Sequence, residues 1–453
     1  MRRTSAAFAA LLVLLGAACH SAADPPRRRA AGPSAAVDDL ERRTFQWFWD
    51  TANPHSFLVP DRWPTKSFSS IAAVGFGLTA YCIGAERGYV TRAEARDRVL
   101  STLQSLLAMP QGPQATGVSA YKGFFYHFLD METAARYKDV ELSTIDSTWL
   151  FSGALFCQSY FDRDDPAEKA VRDAAEQLYD RAEWDWAQPR PPAISMGWYP
   201  EKGFHSWDWR GYNEGMMVII LALGSPTHPV DPAAWPEWTK TYQWASFYGQ
   251  EHVTFAPLFG HQYTQMFIDF RGIQDAYMRG KGIDYFENSR RATIAQHSYA
   301  IENPGHWKDY GENIWGLTAC DGPGDLTIDG RTYHSYTARG ATAGDIRDDG
   351  TIAPTAAASS IAFIPEISIP AIEEMERRYG TSLYRQYGFA DSFNPTFNNG
   401  WFDADYLGID QGPIIAMIEN YRSGLVWNTL KKNPHIVQGL KRAGFSGGWL
   451  EGR

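Results

Sequence analysis

Long apolar runs rich in small residues alternate along this chain with charged, amphipathic ones. Asp38–Asp50 reads as a helix with Leu40, Phe45, Phe48 and Trp49 on one side. Ser69–Arg87 is apolar and small throughout, and Thr91–Leu107 follows it with Thr91 and Glu94 in capping-box spacing. Ser143–Phe161 repeats the apolar type, and Pro166–Arg181 is its charged companion, with proline suited to a first helical turn. Gly211–Pro226, GYNEGMMVIILALGSP, is the extreme case: Met216 to Leu223 is unbroken grease, stopped by Gly224 and Pro226. A helix apolar on every side is buried on every side. Its expected outer partner is Ala233–Ser246. The pairs His261–Met278 with Asp284–Ile301 and Pro354–Phe363 with Glu366–Tyr379 continue the rhythm, and Tyr406–Val426 is the last inner candidate. Period-two stretches are short, near Gly123–Leu129 and Leu326–Tyr333, and predict hairpins in loops. The alternation predicts an all-α fold of two concentric layers, an (α/α)6 toroid. A stacked solenoid would carry clearer residue repeats.

The first segment changes the picture at one end only. Arg2 and Arg3 precede the apolar run Ala10–Ala18, so residues 1–23 read as an export signal. LLGAAC loosely fits a lipoprotein box that would lipidate Cys19; cleavage near Ala22–Ala23 is the alternative. Residues 24–36 are rich in Pro, Arg, Ala and Ser and read as a flexible linker. Residues 37–453 are then one domain. The expected location is the periplasm or the cell exterior, with a membrane tether if Cys19 is lipidated. The formal net charge of −10 argues against nucleic acid and anionic membrane surfaces as partners. Of the cysteines, Cys82 and Cys157 lie in apolar helical patterns and read as buried thiols, and no spacing resembles a zinc site.

The chemistry-bearing residues gather in the loops ahead of the apolar helices. Glu214 stands at the mouth of the greasiest one; it is either a carboxylate facing the helix dipole or a general acid. Before Ser143–Phe161 come Tyr126, Asp130, Arg136, Glu141 and Asp146. Glu141 suits a helix start. Asp146 lies inside an apolar helix and is either ion-paired or catalytic. Trp198, Tyr199, Trp207, Trp209 and Tyr212 precede Glu214. Later loops carry His261, Gln262, Arg271, Glu312 and Trp315, then Trp401, Asp403, Asp405 and Asp410. Asp403 and Asp405 could equally be turn residues, and Arg271 an ion-pair partner. Aromatics beside acids are what a carbohydrate cleft needs: rings for pyranose faces, carboxylates for hydroxyls and for chemistry. GDIRDDG lacks the spacing of an EF-hand, and no metal or cofactor is expected.

The strings GFGLTAYCIGAERGYVTRAEA, GFFYHFLD, ELSTIDSTWLFSGALF, GYNEGMMVIILALGSP, GHQYTQMFIDFRGI, YGENIWGLTACDGP, DGTIAPTAAASSIAFIPE and DADYLGIDQGPIIAMIENYRSG resemble the bacterial glucoamylase-like domain. In particular they resemble the bacterial endo-β-1,2-glucanases. The resemblance runs from about Val37 almost to the last residue. It implies an (α/α)6 barrel that hydrolyses linear β-1,2-glucan with inversion, outside the cytoplasm and without metal. It assigns the general acid to Glu214 and the base side to Asp403, or else Asp405, with Glu141 and Asp146 in the same cleft to bind sugar or share the base role. The other aromatics and polar residues of these loops, Tyr126, Arg136, Trp198, Trp209, Tyr212, Gln262, Arg271, Glu312, Trp315 and Trp401, become candidates for sugar binding. A monomer is expected. Rival readings are an exo-acting, sophorose-releasing enzyme, a transglycosylase, and a glycan-binding lipoprotein without catalysis. One tension stands: a helix N-terminus favours ionised Glu214, whereas a general acid must hold its proton.

Overall fold

A computed structural model describes residues 34–452. The segments predicted to be an export signal, a lipidated Cys19 and, for the most part, a linker lie outside the described residues. Fifteen α-helices carry the fold: α1 Ala35–Thr51, α2 Ile71–Arg87, α3 Arg92–Ala108, α4 Thr144–Tyr160, α5 Pro166–Asp180, α6 Met216–Gly224, α7 Ala234–Thr239, α8 Phe259–Phe267, α9 Ala276–Lys281, α10 Tyr285–Glu302, α11 Pro354–Ala358, α12 Pro365–Tyr379, α13 Gly408–Arg422, α14 Leu425–Leu430 and α15 Pro434–Arg442. The inner ring is α2, α4, α6, α8, α11 and α13; α3, α5, α15, α10, α12 and α1 pack outside it. This is the (α/α)6 toroid that the apolar rhythm predicts.

Local signals set the boundaries. Ser70 Oγ accepts from Ala73 N to start α2, and Gly88 ends it at φ 71°. The Thr91–Glu94 capping box forms at α3, and Asp165 caps α5 with Pro166 in the first turn. Ile71 to Gly84 of α2 and all of α6 are buried, as inner helices must be. On outer α5 only one face is covered, by Val171, Ala174, Ala175, Leu178 and Tyr179. Inner helices touch through backbone. A Cβ added to Gly75 would lie 2.2 Å from the Trp149 carbonyl oxygen, and one on Gly153 would lie 2.1 Å from that of Gly75. This approach also places the Cys82 and Cys157 sulfurs 3.4 Å apart in the buried α2–α4 interface.

The ring closes by pairing its ends. Helix α1 packs on α13 and α2. The two-residue strand Arg62–Trp63 pairs with Tyr406–Leu407, joining the first loop to the last. All the inner helices open their N-termini towards the loops that hold the short hairpins, among them Ala120–Tyr121 with Phe124–Phe125 and Leu326–Ile328 with Arg331–Tyr333.

Three expectations need correction. Ala233–Ser246 is not the outer helix of α6. It yields the short α7 and then a hairpin, Trp244–Phe247 with Gln250–Val253, because its second half alternates aromatic and polar residues up to a turn at Gly249. The outer place is taken by α15, where Gly224 and Gly439 let the backbones meet: their added Cβ atoms would lie 2.2 Å from the His435 oxygen and 2.1 Å from the Ile220 oxygen. His261–Met278 is not one helix but α8 and α9, broken around Gly272 at φ 75°. Pro354–Phe363 is helical only over α11 and continues as turns.

The glycine contacts generate a paired prediction. Gly75→Ala should lower the thermal midpoint, with overpacking costing about 1–3 kcal/mol. Gly280→Ala, where an added Cβ meets nothing within 4 Å, should hold or raise it by about 0.4–1 kcal/mol. Calorimetric scans of both variants check the contrast.

Candidate active site

Glu214 sits in the turn just ahead of α6, two residues before its first helical residue. Asn213 shapes this turn: its Oδ1 accepts from Gly215 N at 2.8 Å, while α6 itself has no side-chain cap. Trp209 packs flat beneath Gly215, where an added Cβ would meet its ring at 2.4 Å. The indole Nε1 in turn donates to Thr144 Oγ1 at 2.8 Å. The turn is thus braced against the first residue of α4. Burial pushes the Glu214 carboxyl up to about 7, against the pull of its own backbone N–H, and the nearby Asp146 charge adds to the rise. Desolvation therefore outweighs the backbone hydrogen bond, and Glu214 keeps its proton up to about pH 7.

Glu214 lines a cavity of about 180 Å³ with Asp146, Trp149, Phe259, Tyr263 and Tyr336. A second lobe of about 160 Å³, with Asp61, Arg62, Phe68 and Phe128, shares His127, Tyr336 and Ile409 with it. His127 stands between the lobes, stacked on Phe128 at 3.9 Å between ring centres. Both its nitrogens face carboxylates: Nδ1 lies 2.8 Å from Glu141 Oε1 and Nε2 3.5 Å from Asp146 Oδ2. Burial alone would lower its pKa, but Asp146 and Glu141 reverse that and push it up to about 9, so the ring is an imidazolium. Burial works to raise Glu141 too, yet the His127 bond holds it below the usual range. Asp146 is raised by burial, while His127 and a 2.5 Å hydrogen bond from Ser143 Oγ oppose the rise.

A second acidic group lies behind the Arg62 lobe. Arg62 Nη1 donates to Asp321 Oδ2 at 2.6 Å and its Nε to Asp61 Oδ2 at 3.2 Å; Asp405 Oδ2 is 3.8 Å from Nη1. Asp405 Oδ1 accepts from Thr65 N at 2.8 Å. Asp391 Oδ2 accepts from Asp321 N at 2.7 Å. One oxygen each of Asp391, Asp403 and Asp410 is buried without a hydrogen-bond partner among the described residues. Burial, then the Asp410 charge, drives Asp391 far above the carboxylate range. Burial with Asp391 and Asp321 pushes Asp403 up to about 8, and burial pushes Asp410 up to about 7. Oxygens of Asp321, Asp391 and Asp403 lie within 4.8 Å of one another, which is the donor set of a hard cation. The raised carboxyls answer the same crowding with protons.

Known proteins place this arrangement. A family model described as "Putative glucoamylase" matches residues 206–434, half of the chain. A solved Bacteroides uniformis protein carrying the same description is 33% identical, with a TM-score of 0.80 over 92% of this chain and 98% of that one. The chain belongs to this glucoamylase-like family. The endo-β-1,2-glucanase of Chitinophaga pinensis, solved with sophorotriose and glucose, is 29% identical, with a TM-score of 0.81 over 92% of this chain and 99% of that one. An exo-β-1,2-glucooligosaccharide sophorohydrolase of Parabacteroides distasonis is 28% identical over 440 residues, which is 90% of this chain. The chain spans 57% of that relative's length.

Within this glucoamylase-like chain the predicted site residues divide. Glu214, Asp146 and Glu141 meet around His127, and Asp403 and Asp405 join the Arg62 group. Trp209 braces Glu214 from behind. The others build walls. Tyr126 is buried beneath the Arg136 guanidinium, which lies 4.8 Å from its ring centre and bonds Glu201 at 2.6 Å. Trp198 packs with Tyr121 and Trp186. Tyr212 stacks on Tyr285, Gln262 ties α8 to the Ala356 oxygen and Ser360, and Trp315 is buried. Glu312 is exposed, and its carbonyl accepts from His297. Trp401 is half-buried in a strand with Asn394. Arg271 follows the C-terminus of α8, so it stands at the opposite end of the toroid, paired with Asp269 at 2.7 Å and lying over Trp427. The acids of GDIRDDG are engaged by Arg347, Arg339, Tyr299 and Tyr310.

Sequence reading passed over His127, Asp391, Tyr263 and Tyr336. His127 and Asp391 did leave a trace, each a titratable residue in an otherwise largely apolar run (FFYHFL, GFADSF). Tyr263 and Tyr336 left none.

The protons held here make stability pH-dependent. Glu214, Asp410, Asp403 and His127, at about 7, 7, 8 and 9, all titrate above their unfolded values, as does Glu41, which burial and Glu419 push up to about 9. Such groups stabilise the fold at low pH and lose that contribution as pH rises through the folded value. His252, His261 and His297 are lowered by burial, so their opposing contribution is complete by about pH 6.5. The melting temperature is therefore expected to fall from pH 6.5 to 9, and Asp410→Asn should flatten the first part of that fall. Differential scanning fluorimetry across the range checks it; a rise would refute the assignment.

Proposed function

We propose that this protein is an exported glycoside hydrolase that cuts linear β-1,2-glucan internally, by inversion, with Glu214 as general acid. One observation carries the reading: a desolvated glutamic acid, held near neutrality, at the wall of a cleft whose other groups are carboxylates, an imidazolium and aromatic rings. Such an acid can protonate a departing glycosidic oxygen at the pH where the substrate is met. Inversion also needs a carboxylate roughly 6.5–9.5 Å from the acid, with room for a water. Asp403 is the preferred candidate, since its Oδ2 is free of protein partners while Oδ1 accepts from Asp405 N at 3.3 Å. Asp146, Glu141 and Asp405 are assigned to sugar hydroxyls and to tuning the acid.

The likeness to the Chitinophaga endo-β-1,2-glucanase over nearly its whole length supports substrate and mode. The Parabacteroides relative favours a second reading, stepwise release of disaccharide from a chain end. Export rests on residues 1–23, and a lipid on Cys19 would tether the enzyme to the envelope. We assign no cofactor and a monomeric state.

Chromatography of products from linear β-1,2-glucan separates the readings. A ladder of short oligosaccharides is expected; disaccharide alone would move the assignment to the exo reading, and no product would remove the substrate. Glu214→Gln should lower kcat by about 100-fold or more with the fold unchanged. Glu214 titrates at about 7 and Asp403 at about 8, so the working form, with Glu214 protonated and Asp403 ionised, is the minor arrangement of the one proton they hold between them; kcat/KM is still expected to peak between those limbs, and Asp403→Asn should abolish turnover. A profile peaking below pH 5 would contradict both roles.

A further inference from the structure

Trp207 is the most exposed of the large apolar side chains among the described residues, at 67%. An indole in water forgoes one of the largest available burial gains. Floppiness does not explain it. Met196 N donates to Trp207 O at 3.1 Å, and Trp207 N donates to His205 Nδ1 at 3.1 Å. The next residue, Asp208, is buried and clamped by two arginines: Arg190 Nη2 donates to its Oδ1 at 2.5 Å and Arg210 Nη1 to its Oδ2 at 3.0 Å. The backbone is fixed on both sides while the ring stays free. That combination is what a preorganised platform needs, since little entropy remains to be lost on binding.

The ring also heads a row. His205 lies 5.1 Å from Trp207 and Tyr199 lies 6.3 Å from His205, centre to centre. Lys202 Nζ covers one face of Tyr199 at 3.7 Å. At the inner end, Tyr199 and His205 both lie within electrostatic reach of Glu141, the carboxylate bonded to His127 on the cleft wall. The row therefore runs from the catalytic mouth to the outer surface.

We propose that Tyr199, His205 and Trp207 form an outer subsite track that holds a neutral glucan chain beyond the cleft, with Trp207 as its stacking platform. Pyranose rings present an apolar C–H face and a polar edge, which matches flat rings with polar atoms at their edges. The track rests on the glucanase reading, and it makes a demand that reading alone does not: only chains long enough to reach Trp207 should sense it.

The test compares long β-1,2-glucan with the shortest oligosaccharide that is cleaved, using wild type, Trp207→Ala and Trp207→Phe. KM for the polymer is expected to rise roughly fivefold in Trp207→Ala, with kcat and short-substrate kinetics unchanged, and Trp207→Phe should recover most of the loss. Equal losses on long and short substrates, or no loss on either, would overturn the track while leaving the enzyme assignment intact. Binding of the polymer by Glu214→Gln, with and without Trp207→Ala, reads the track without turnover. Unchanged affinity overturns it. Failure of Glu214→Gln to bind any β-glucan, with wild type inactive on all of them, overturns the enzyme reading and the track together.

Discussion

Backbone contact between α2 and α4 at Gly75 and Gly153 sets the bore of the toroid. With no side chains between them, the two inner helices draw close, and rings behind Glu214 fill the axis: Trp149 packs against Phe76, Tyr263 and Phe267. The centre is packed rather than open. Substrate can enter only at the mouth, where the inner helices begin and the loops can differ without disturbing the ring.

That geometry decides the electrostatics. Side chains at the start of an inner helix lean over a dry core, so carboxyls placed there are desolvated from one side. With Arg62 and His127 as the cations on hand, several acids must keep protons. The result is a division of states within one small region: Glu141 ionised against the imidazolium, and Glu214, Asp391 and Asp410 pushed towards their protonated forms. Acid and base roles need such a spread in proton affinity, and here it comes from the number of cations within reach.

Much of this was legible in the residues. The inner helices announce themselves because a helix buried all round must be apolar all round, and capping boxes and prolines marked several outer ones. The Glu214 turn could be found because a lone acid abutting eight apolar residues has few structural excuses. The wall residues are harder to place from sequence for a related reason. Trp315, Tyr126 and Tyr212 have the same chemistry as sugar-stacking rings, and only tertiary packing separates a ring in the core from a ring in a cleft. The outer partner of α6 was unreadable locally, because the helix that covers it lies more than two hundred positions later.

That last pairing bears on how the protein is made. Helix α6 is apolar on every face, and its outer side is sealed by α15, whose Arg442 also donates to the Leu223 carbonyl in the last turn of α6 and the Val230 carbonyl beyond its end. A chain emerging from its N-terminus exposes the helix that carries the proposed acid long before its cover exists. Until then the molecule is a sticky, incomplete ring that cannot close. The completed catalytic mouth is thus a late product of synthesis, and an intermediate that stalls before α15 has an unsheathed hydrophobic helix for a chaperone or a protease to recognise.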